Sequence, residues 1–214
     1  LALFNATDDR SQQAAVGGHR DRDVRARELA QFIAKSSDDF DYLSLTMPLK
    51  EEVLALDVKA DGLTHRIQSG NTLFKIENSW NLTSTDGSGL IAALDNAGIT
   101  QLHSVLILGA GGTARAVTGA LDAISKNIHV LGRSSVRQAA LESAIVNSSF
   151  EYHRWSLDVD FSSYDLIVNT TPAGAADLLA NSVHPGIAAT LFDVIYKPWP
   201  TELAQRWSDC GQGY

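Results

Sequence analysis

Predicted strands and helices alternate along the second half of the chain. Four short apolar runs have the character of buried strands, at residues 105–108, 128–131, 166–168 and 191–195. Predicted helices follow the first two runs, over residues 113–124 and 136–146. Strands that alternate with helices at this spacing are typical of a parallel sheet in an α/β domain.

The first half of the chain has a different pattern. Residues 11–23 are polar and contain glycine, which is typical of a loop, and apolar positions on one face predict a helix over 24–34. Residues 42–46 predict a strand that stops before Pro48, because proline cannot donate to a ladder. The segment 87–97 is expected to be the helix that joins the two halves. Between the strand at 42–46 and this joining helix, two short helices are predicted over 51–56 and 61–66, and a strand over 71–76.

Composition excludes some classes of function. The chain has 214 residues, of which 44% are hydrophobic and 20% charged, so it can bury a core. The net charge of −8 argues against a nucleic-acid partner, and no apolar stretch is long enough to span a bilayer. Cys210 is the only cysteine, which excludes an intramolecular disulfide and a thiolate metal cage and fits the reducing cytoplasm. The six histidines show no metal-ligand spacing, so no metal is expected.

The most informative segment is 105–116, VLILGAGGTARA, in which a buried strand runs into a glycine cluster and then a helix. Gly109 permits a sharp turn, and Gly111 lets the backbone approach a pyrophosphate. The free amides and the positive end of the helix dipole would face the phosphates. Glycines also collect at tight turns for packing reasons, but the strand before and the helix after favour nucleotide binding. The predicted phosphate-binding loop consists of Gly109, Ala110, Gly111 and Gly112.

The segment after the second strand indicates which nucleotide binds. An NAD site usually places an acidic residue here for the ribose 2′-hydroxyl, whereas residues 131–137, LGRSSVR, contain none. Arg133 and Arg137 are placed to clasp a 2′-phosphate, and Ser134 can donate a hydrogen bond to it. A pair of solvated surface arginines is the simpler alternative. The pattern favours NADP(H) as the cofactor.

Two polar clusters in the first half are candidates for acid–base chemistry. Residues 44–50, SLTMPLK, bring a hydroxyl and an ammonium just past a strand, and 84–87, STDG, bring a carboxylate before the joining helix. Lys50 could protonate a carbonyl oxygen as hydride reaches its carbon, and Asp86 could orient the ammonium. From spacing alone, a surface lysine and a helix-capping aspartate are the simpler interpretations.

Taken in order, the motifs of this chain resemble those of the shikimate dehydrogenase family from about Tyr42 onward. An ordered set of motifs is far more specific than any one of them. The resemblance implies a substrate domain and a Rossmann-like NADP domain with a cleft between them. It implies NADPH-dependent, reversible reduction of 3-dehydroshikimate to shikimate, on the chorismate route to aromatic amino acids. The matching motifs are SLTMPLK (44–50), GNTL (70–73), STDGSG (84–89), GAGGTARA (109–116), GRSSVR (132–137), NTTPAG (169–174) and DVIYKPWPT (193–201).

The resemblance also implies roles for single residues. Lys50 matches the family's catalytic lysine and Asp86 its partner aspartate. Thr46 and Asn71 match residues that hydrogen-bond the hydroxyls of the shikimate ring, and Tyr196 matches a tyrosine that reaches the substrate.

The cofactor residues are implied in the same way. Thr170 and Pro172 match the stretch beside the nicotinamide ribose, and Gly132 stands where the family usually has asparagine. The diphosphate loop and the 2′-phosphate clamp are matched by residues 109–113, Arg133, Ser134 and Arg137.

The implied organisation is a substrate domain over 1–88, an NADP domain over 89–198 and a segment over 199–214 that returns to the substrate domain. The family's first strand, with its Ser-Leu-Ser motif, and its C-terminal glutamine helix have no match in this sequence. We therefore expect the substrate domain to be incomplete at its N-terminus. A cytoplasmic monomer or homodimer with small-molecule partners, and with neither nucleic acid nor membrane, is expected.

Two other functions stay open on the sequence. One is a dehydrogenase of broader range, which acts on quinate or uses NAD, although the arginine pair argues against NAD. The other is a non-catalytic NADP-binding homologue that has lost turnover. The retention of Lys50 and Asp86 counts against that second alternative.

Overall fold

The computed structural model describes residues 28–35, 40–46 and 48–211, which fall into two compact units. The first unit runs to His65 and continues over Ser69–Thr85. The second comprises Arg66–Gln68 and the chain from Asp86 onward. The chain thus passes into the second unit at Asp86, whereas the expected boundary followed residue 88.

The first unit is a four-stranded mixed sheet with short helices. The strand order is β1-β3-β4-β2, in which β3 is antiparallel to both neighbours and β2 runs parallel to β4. Predicted elements are found for the strands at 42–46 and 71–76 and for both short helices, while β2 and β4 are additional. The elements are α1 (Leu29–Lys35), β1 (Tyr42–Ser44), α2 (Leu49–Glu52), β2 (Lys59–Ala60), α3 (Gly62–Ile67), β3 (Thr72–Ile76) and β4 (Ser79–Thr83).

A two-residue turn and a small apolar core hold the first unit together. Glu77 and Asn78 join β3 to β4, and both have positive φ, at 48° and 62°. Such a turn matches the twist of the paired strands. The helix predicted over 24–34 is observed from Leu29 onward; its earlier residues and the loop predicted over 11–23 lie outside the described residues. Buried side chains of this core are Leu29, Leu45, Leu49, Val53, Leu73 and Leu82.

The second unit is a five-stranded sheet in which every strand is parallel, in the order β7-β6-β5-β8-β9. This confirms the predicted α/β fold class. None of the helices in the described part of the chain combines the length and apolar character needed to cross a membrane. The elements are α4 (Asp86–Asn96), β5 (Leu102–Leu108), α5 (Gly112–Leu121), β6 (Ser125–Gly132), α6 (Gln138–Glu142), β7 (Ser149–Arg154), β8 (Leu166–Asn169), β9 (Thr190–Asp193) and α7 (Glu202–Asp209).

The order of strands fixes where a ligand can bind. The chain starts the sheet at its centre with β5, adds β6 and β7 on one side, and then crosses to add β8 and β9 on the other. In open α/β sheets the crevice at such a reversal, beyond the carboxyl ends of the strands, is the usual ligand site. Here that crevice lies beyond Leu108 and Asn169, the last residues of β5 and β8.

The C-terminal helix α7 packs on the core of the second unit. Its apolar residues Leu203, Ala204 and Trp207 are buried in the core of the second unit. The Trp207 indole packs edge-on against Phe161, with ring centroids 5.3 Å apart. Because this apolar face is covered by the core beside the parallel sheet, residues 199–211 belong to the second unit.

The connection from β6 to β7 also departs from the sequence pattern. The helix predicted over 136–146 is only a short turn followed by α6, which ends at Glu142. The following loop is fixed by the buried Asp122 carboxylate, which accepts hydrogen bonds from the backbone N–H groups of Val146 (3.0 Å), Asn147 (2.9 Å) and Ser148 (2.8 Å). These bonds lead the chain into β7, an edge strand that the sequence pattern did not predict.

The stability of the fold should depend on pH through the ionisation of the Asp122 carboxylate. Burial alone would raise its pKa, but the three N–H donors outweigh burial and the pKa lies below its ordinary 3.8. Such a group stabilises the fold above the unfolded pKa, and this stabilisation is lost as pH falls through the folded pKa. We expect Asp122→Asn to lower the free energy of unfolding by about 1–3 kcal/mol at pH 7, measured by urea denaturation.

The difference in the free energy of unfolding between the parent and Asp122→Asn should become smaller below pH 3.8. Asp95→Asn, on the exposed surface of α4, is the matched control and should leave stability unchanged. A difference of the same size at pH 7 and pH 3 would show that the charge of Asp122 is not what holds the loop.

Candidate active site and cofactor loop

The turn between β5 and α5 can be built only with glycine. Gly109 has φ of +107°, in the left-handed region, and its N–H donates to the Leu131 carbonyl at 2.9 Å. A Cβ at Gly109 would lie 2.7 Å from the Thr170 hydroxyl. Both the backbone conformation and the space around it therefore exclude a side chain.

The N-terminus of α5 has no side-chain cap and leaves its first amides available to an anion. Gly111 is the N-cap residue, and having no side chain it leaves the helix without a side-chain cap. The first helical hydrogen bond runs from Arg115 N–H to the Gly111 carbonyl at 3.1 Å. The amides of the first turn, at Gly112, Thr113 and Ala114, accordingly have no partner within the helix. With the helix dipole they form the kind of end that binds phosphate groups.

The end of β8 lies against this loop. Thr170 donates to the Leu108 carbonyl twice, from its N–H at 2.9 Å and from its hydroxyl at 2.8 Å. Pro172 follows on the exposed surface. The structure thus brings Thr170 beside Gly109, as expected if both border one ligand.

A buried network that sequence reasoning missed holds the next residues. The Asn169 amide donates to both Asp193 carboxylate oxygens at 3.1 Å and accepts from the Thr171 N–H and hydroxyl at 3.1 and 2.7 Å. Asp193 also accepts from the Ile195 N–H at 3.0 Å and from Thr201 at 2.8 Å. This network joins the carboxyl ends of β8 and β9 and fixes the start of the segment that carries Tyr196. The matched NTTPAG and DVIYKPWPT motifs contain these residues, and this was the signal available in the sequence.

The predicted 2′-phosphate clamp follows β6. Arg133, Ser134 and Arg137 are all exposed. Ser134 caps a short helical turn by accepting from the Val136 N–H at 3.4 Å, and Arg137 makes a long contact of 3.5 Å to the Ala110 carbonyl. The Arg137 guanidinium therefore lies at the rim of the glycine loop.

Tyr152 on β7 fills the space above Gly132 and supports this clamp. A Cβ at Gly132 would overlap the Tyr152 hydroxyl and lie 2.8 Å from its ring carbon Cζ. The hydroxyl donates to the Ser134 carbonyl at 2.6 Å. Burial raises the pKa of Tyr152, so the hydroxyl keeps its proton and remains a donor. Gly132 and Tyr152 thus form a matched pair, for which the only sequence signal was the glycine in place of asparagine.

Lys50 and Thr46 sit on α2 and the loop before it in the first unit. The Thr46 carbonyl accepts from the Leu49 N–H at 2.8 Å as α2 begins, and the Lys50 carbonyl accepts from the Gly70 N–H at 2.8 Å. A Cβ at Gly70 would lie 2.6 Å from the Leu82 side chain, so glycine permits this approach. The position of the Lys50 backbone is therefore fixed by the loop that precedes Asn71.

Asn71 is oriented by neighbours that the sequence did not indicate. Its side-chain oxygen accepts from the Thr85 N–H at 2.9 Å and from the Thr72 hydroxyl at 3.0 Å, and its amide donates to the Thr85 hydroxyl at 3.0 Å. Thr85 directly precedes Asp86, the first residue of α4. The Asn71 side chain thereby holds the chain at the point where it leaves the first unit.

Two of the residues predicted to act on the substrate, Asp86 and Tyr196, belong to the second unit. Asp86 is half-buried in the first turn of α4, and Tyr196 is 40% exposed on the segment after β9. Thr46, Lys50 and Asn71 belong to the first unit. Gly87 follows Asp86, and a Cβ there would lie 2.8 Å from the Ala116 carbonyl oxygen, so glycine lets α4 pack closely on α5.

Comparison with protein-family models gives no match, whereas curated proteins and solved structures give many. The shikimate dehydrogenase (NADP(+)) of Sinorhizobium fredii is 30% identical over 218 residues, which cover 95% of this chain and 73% of that enzyme. The chain belongs to the shikimate dehydrogenase family. This confirms the resemblance predicted from the motifs.

Solved structures of the shikimate dehydrogenase family have the same fold. The Mycobacterium tuberculosis shikimate dehydrogenase is 28% identical with a TM-score of 0.76, over 88% of this chain and 70% of that one. The Thermus thermophilus shikimate 5-dehydrogenase, solved in complex with NADP(H) and shikimate, is 28% identical with a TM-score of 0.73, over 89% of this chain and 72% of that one.

The Tyr152–Ser134 hydrogen bond gives a prediction about cofactor choice. Tyr152→Phe keeps the ring above Gly132 but removes the donor to the Ser134 carbonyl, so the clamp loop loses its anchor. One hydrogen bond contributes about 1 kcal/mol, so affinity for NADP⁺ should fall about fivefold, measured by calorimetry. Affinity for NAD⁺, which lacks the 2′-phosphate, should not change.

Tyr42→Phe is the matched control, because that side chain is 73% exposed on β1. It should bind both cofactors as the parent does. An equal loss for NADP⁺ and NAD⁺ in Tyr152→Phe would mean that the hydrogen bond supports the sheet rather than the clamp.

Proposed function

We propose that this member of the shikimate dehydrogenase family catalyses the reversible, NADPH-dependent reduction of 3-dehydroshikimate to shikimate. The observation that carries the proposal lies in the second unit. The glycine loop, Arg137 and Thr170 meet beyond the carboxyl ends of β5, β6 and β8, where an open α/β sheet binds a dinucleotide. The product would serve the chorismate route to aromatic amino acids.

The cofactor residues divide the NADP(H) molecule between them. The amides at the start of α5 would hold the diphosphate, and Gly109 and Gly111 let the backbone approach it. Arg133, Ser134 and Arg137 would hold the 2′-phosphate, because guanidinium groups pair well with phosphate and no carboxylate stands in 131–137 to repel it. Thr170 and Pro172 would border the nicotinamide ribose. When bound, NADPH supplies the hydride.

The chain's own residues would handle the substrate and the proton. We assign to the Lys50 ammonium the proton that the carbonyl oxygen gains during reduction, and to Asp86 the task of orienting that ammonium. Thr46 and Asn71 would hydrogen-bond the hydroxyls of the ring, and Tyr196 would reach the substrate from the segment after β9. The bonds that Thr72 and Thr85 make to Asn71 support its role, because they fix the orientation of its amide.

The wider setting is also part of the proposal. A net charge of −8 and a single cysteine fit a cytoplasmic enzyme whose partners are small molecules rather than nucleic acid or membrane. Monomer and homodimer are both compatible with the proposed chemistry.

The first test is shikimate-dependent reduction of NADP⁺, followed through the absorbance of NADPH, with NAD⁺ and quinate in parallel. Turnover with shikimate and NADP⁺ alone supports the proposal. Comparable turnover with quinate or NAD⁺ would instead indicate a dehydrogenase of broader range. NADPH binding in a calorimeter without turnover of any pair would indicate a non-catalytic homologue.

Lys50→Ala tests the assigned proton donor. Loss of a positioned general acid should lower kcat by about 10²–10⁴-fold, while NADPH affinity stays unchanged because the cofactor residues lie elsewhere. Lys59→Ala is the matched control, since Lys59 is an exposed lysine on β2 of the same unit. Full activity in Lys50→Ala would overturn the assignment of Lys50.

A further inference from the structure

Three potential metal ligands lie together on one face of the parallel sheet, on β6 and β7. His129 lies on β6 opposite Glu151 of β7, and His153 follows Glu151 by two residues. Because side chains alternate between the faces of a strand, all three project to the same side. Spacing along the chain predicted no metal site, since residues 129 and 153 approach each other only through strand pairing.

The separations between the three donor atoms suit a metal ion. His129 Nδ1 lies 3.0 Å from His153 Nε2, and these two nitrogens lie 3.8 and 3.6 Å from the same Glu151 oxygen, Oε2. A point equidistant from three atoms so separated is about 2.0 Å from each, which is the length of Zn–N and Zn–O bonds. We propose that His129, Glu151 and His153 form a binding site for Zn²⁺ that staples the edge strand β7 to β6.

The two imidazoles already face each other with nearly parallel planes. Their planes differ by only 5°, and their nitrogens share a hydrogen bond, one ring donating and the other accepting. A bound ion would displace the shared proton, and each ring would turn about its Cβ–Cγ bond until its nitrogen lone pair faced the ion instead of the other ring. Tyr164 packs edge-on against His129, with centroids 5.3 Å apart, and limits the other positions that ring can take.

The donor set selects the kind of ion. Two imidazoles and one carboxylate suit zinc and its first-row neighbours, and three protein ligands leave one position for water. Mg²⁺ and Ca²⁺ prefer oxygen ligands throughout and should not bind here.

An ion can reach the site from solvent. The side chains of Glu151 and His153 are 62% and 42% exposed, while that of His129 is 19% exposed beneath them. A hollow of about 460 Å³ borders His153 and is lined by Asp158 and Asp160 together with the cationic Arg154. The two carboxylates and Glu151 outnumber that single positive charge, so the approach favours a cation.

The site would act on structure rather than on the reaction. Glu151 and His153 flank Tyr152, whose side chain points to the opposite face of β7 and bonds Ser134. As an edge strand, β7 is hydrogen-bonded to β6 on one side only. A metal bridge between the two strands would add a second interaction that stabilises their pairing. Binding should therefore raise thermal stability even when no cofactor or substrate is present.

Calorimetric titration of the chelator-treated protein with zinc sulfate tests the site, alongside thermal unfolding with and without zinc. We expect one ion per chain, a higher Tm with zinc, and no response to magnesium sulfate. Glu151→Gln and His153→Ala should weaken zinc binding at least about tenfold, since loss of an outer-shell contact alone costs that much. Both side chains are exposed enough for the variants to fold, which the Tm without zinc will verify.

His103→Ala is the matched control, because this histidine is exposed on β5 of the same sheet. It should keep the parent's zinc affinity and its rise in Tm. Co²⁺ should give the intense visible absorption of a tetrahedral site in the parent and in His103→Ala, and lose it in His153→Ala. No zinc binding by the parent, or undiminished binding by His153→Ala, would overturn the proposal.

Discussion

The carboxyl end of the parallel sheet depends on the turn at Gly109. Its left-handed backbone lets β5 stop and α5 start within three residues, and its N–H bonds the last carbonyl but one of β6. Thr170 closes the other side by bonding Leu108 with both its N–H and its hydroxyl. The strands β5, β6 and β8 meet at this one turn. A Cβ at Gly109 would therefore disturb the glycine loop together with the segments that follow β6 and β8.

Buried hydrogen bonds extend this order to the residues that follow β8 and β9. Asn169 is almost wholly buried and connects Thr171 with Asp193, which also holds the N-cap residue of α7, Thr201. Each partner satisfies the others, so the chain can place polar groups at the edge of its core without leaving them unpaired. The anchoring of α7 and the path of the segment with Tyr196 consequently have one common cause.

How much the sequence could predict depends on burial. The central strands β5 and β8 are buried along almost their whole length, so each is an apolar run that a pattern detects. The buried second half of β6 gives such a run as well. The edge strand β7, SFEYHR, is half exposed and gives no such run, and Tyr152 could not be linked to Gly132 before the register was known. Gly109 was predicted because its requirement is local. The packing of Trp207 was not, because an amphipathic helix shows that it buries a face but not which surface covers it.

The two faces of β7 make different contacts, and both sets depend on how β7 pairs with β6. On one face Tyr152 occupies the space that glycine leaves at position 132 and donates to the Ser134 carbonyl, in the loop of the proposed arginine clamp. On the other, Glu151 and His153 face His129 across the strand pair. A shift of β7 by one residue would exchange these faces, removing Tyr152 from Ser134 and separating the three polar groups at once. The proposed cofactor clamp and the proposed zinc site therefore both depend on the register of β7, the strand that sequence patterns missed.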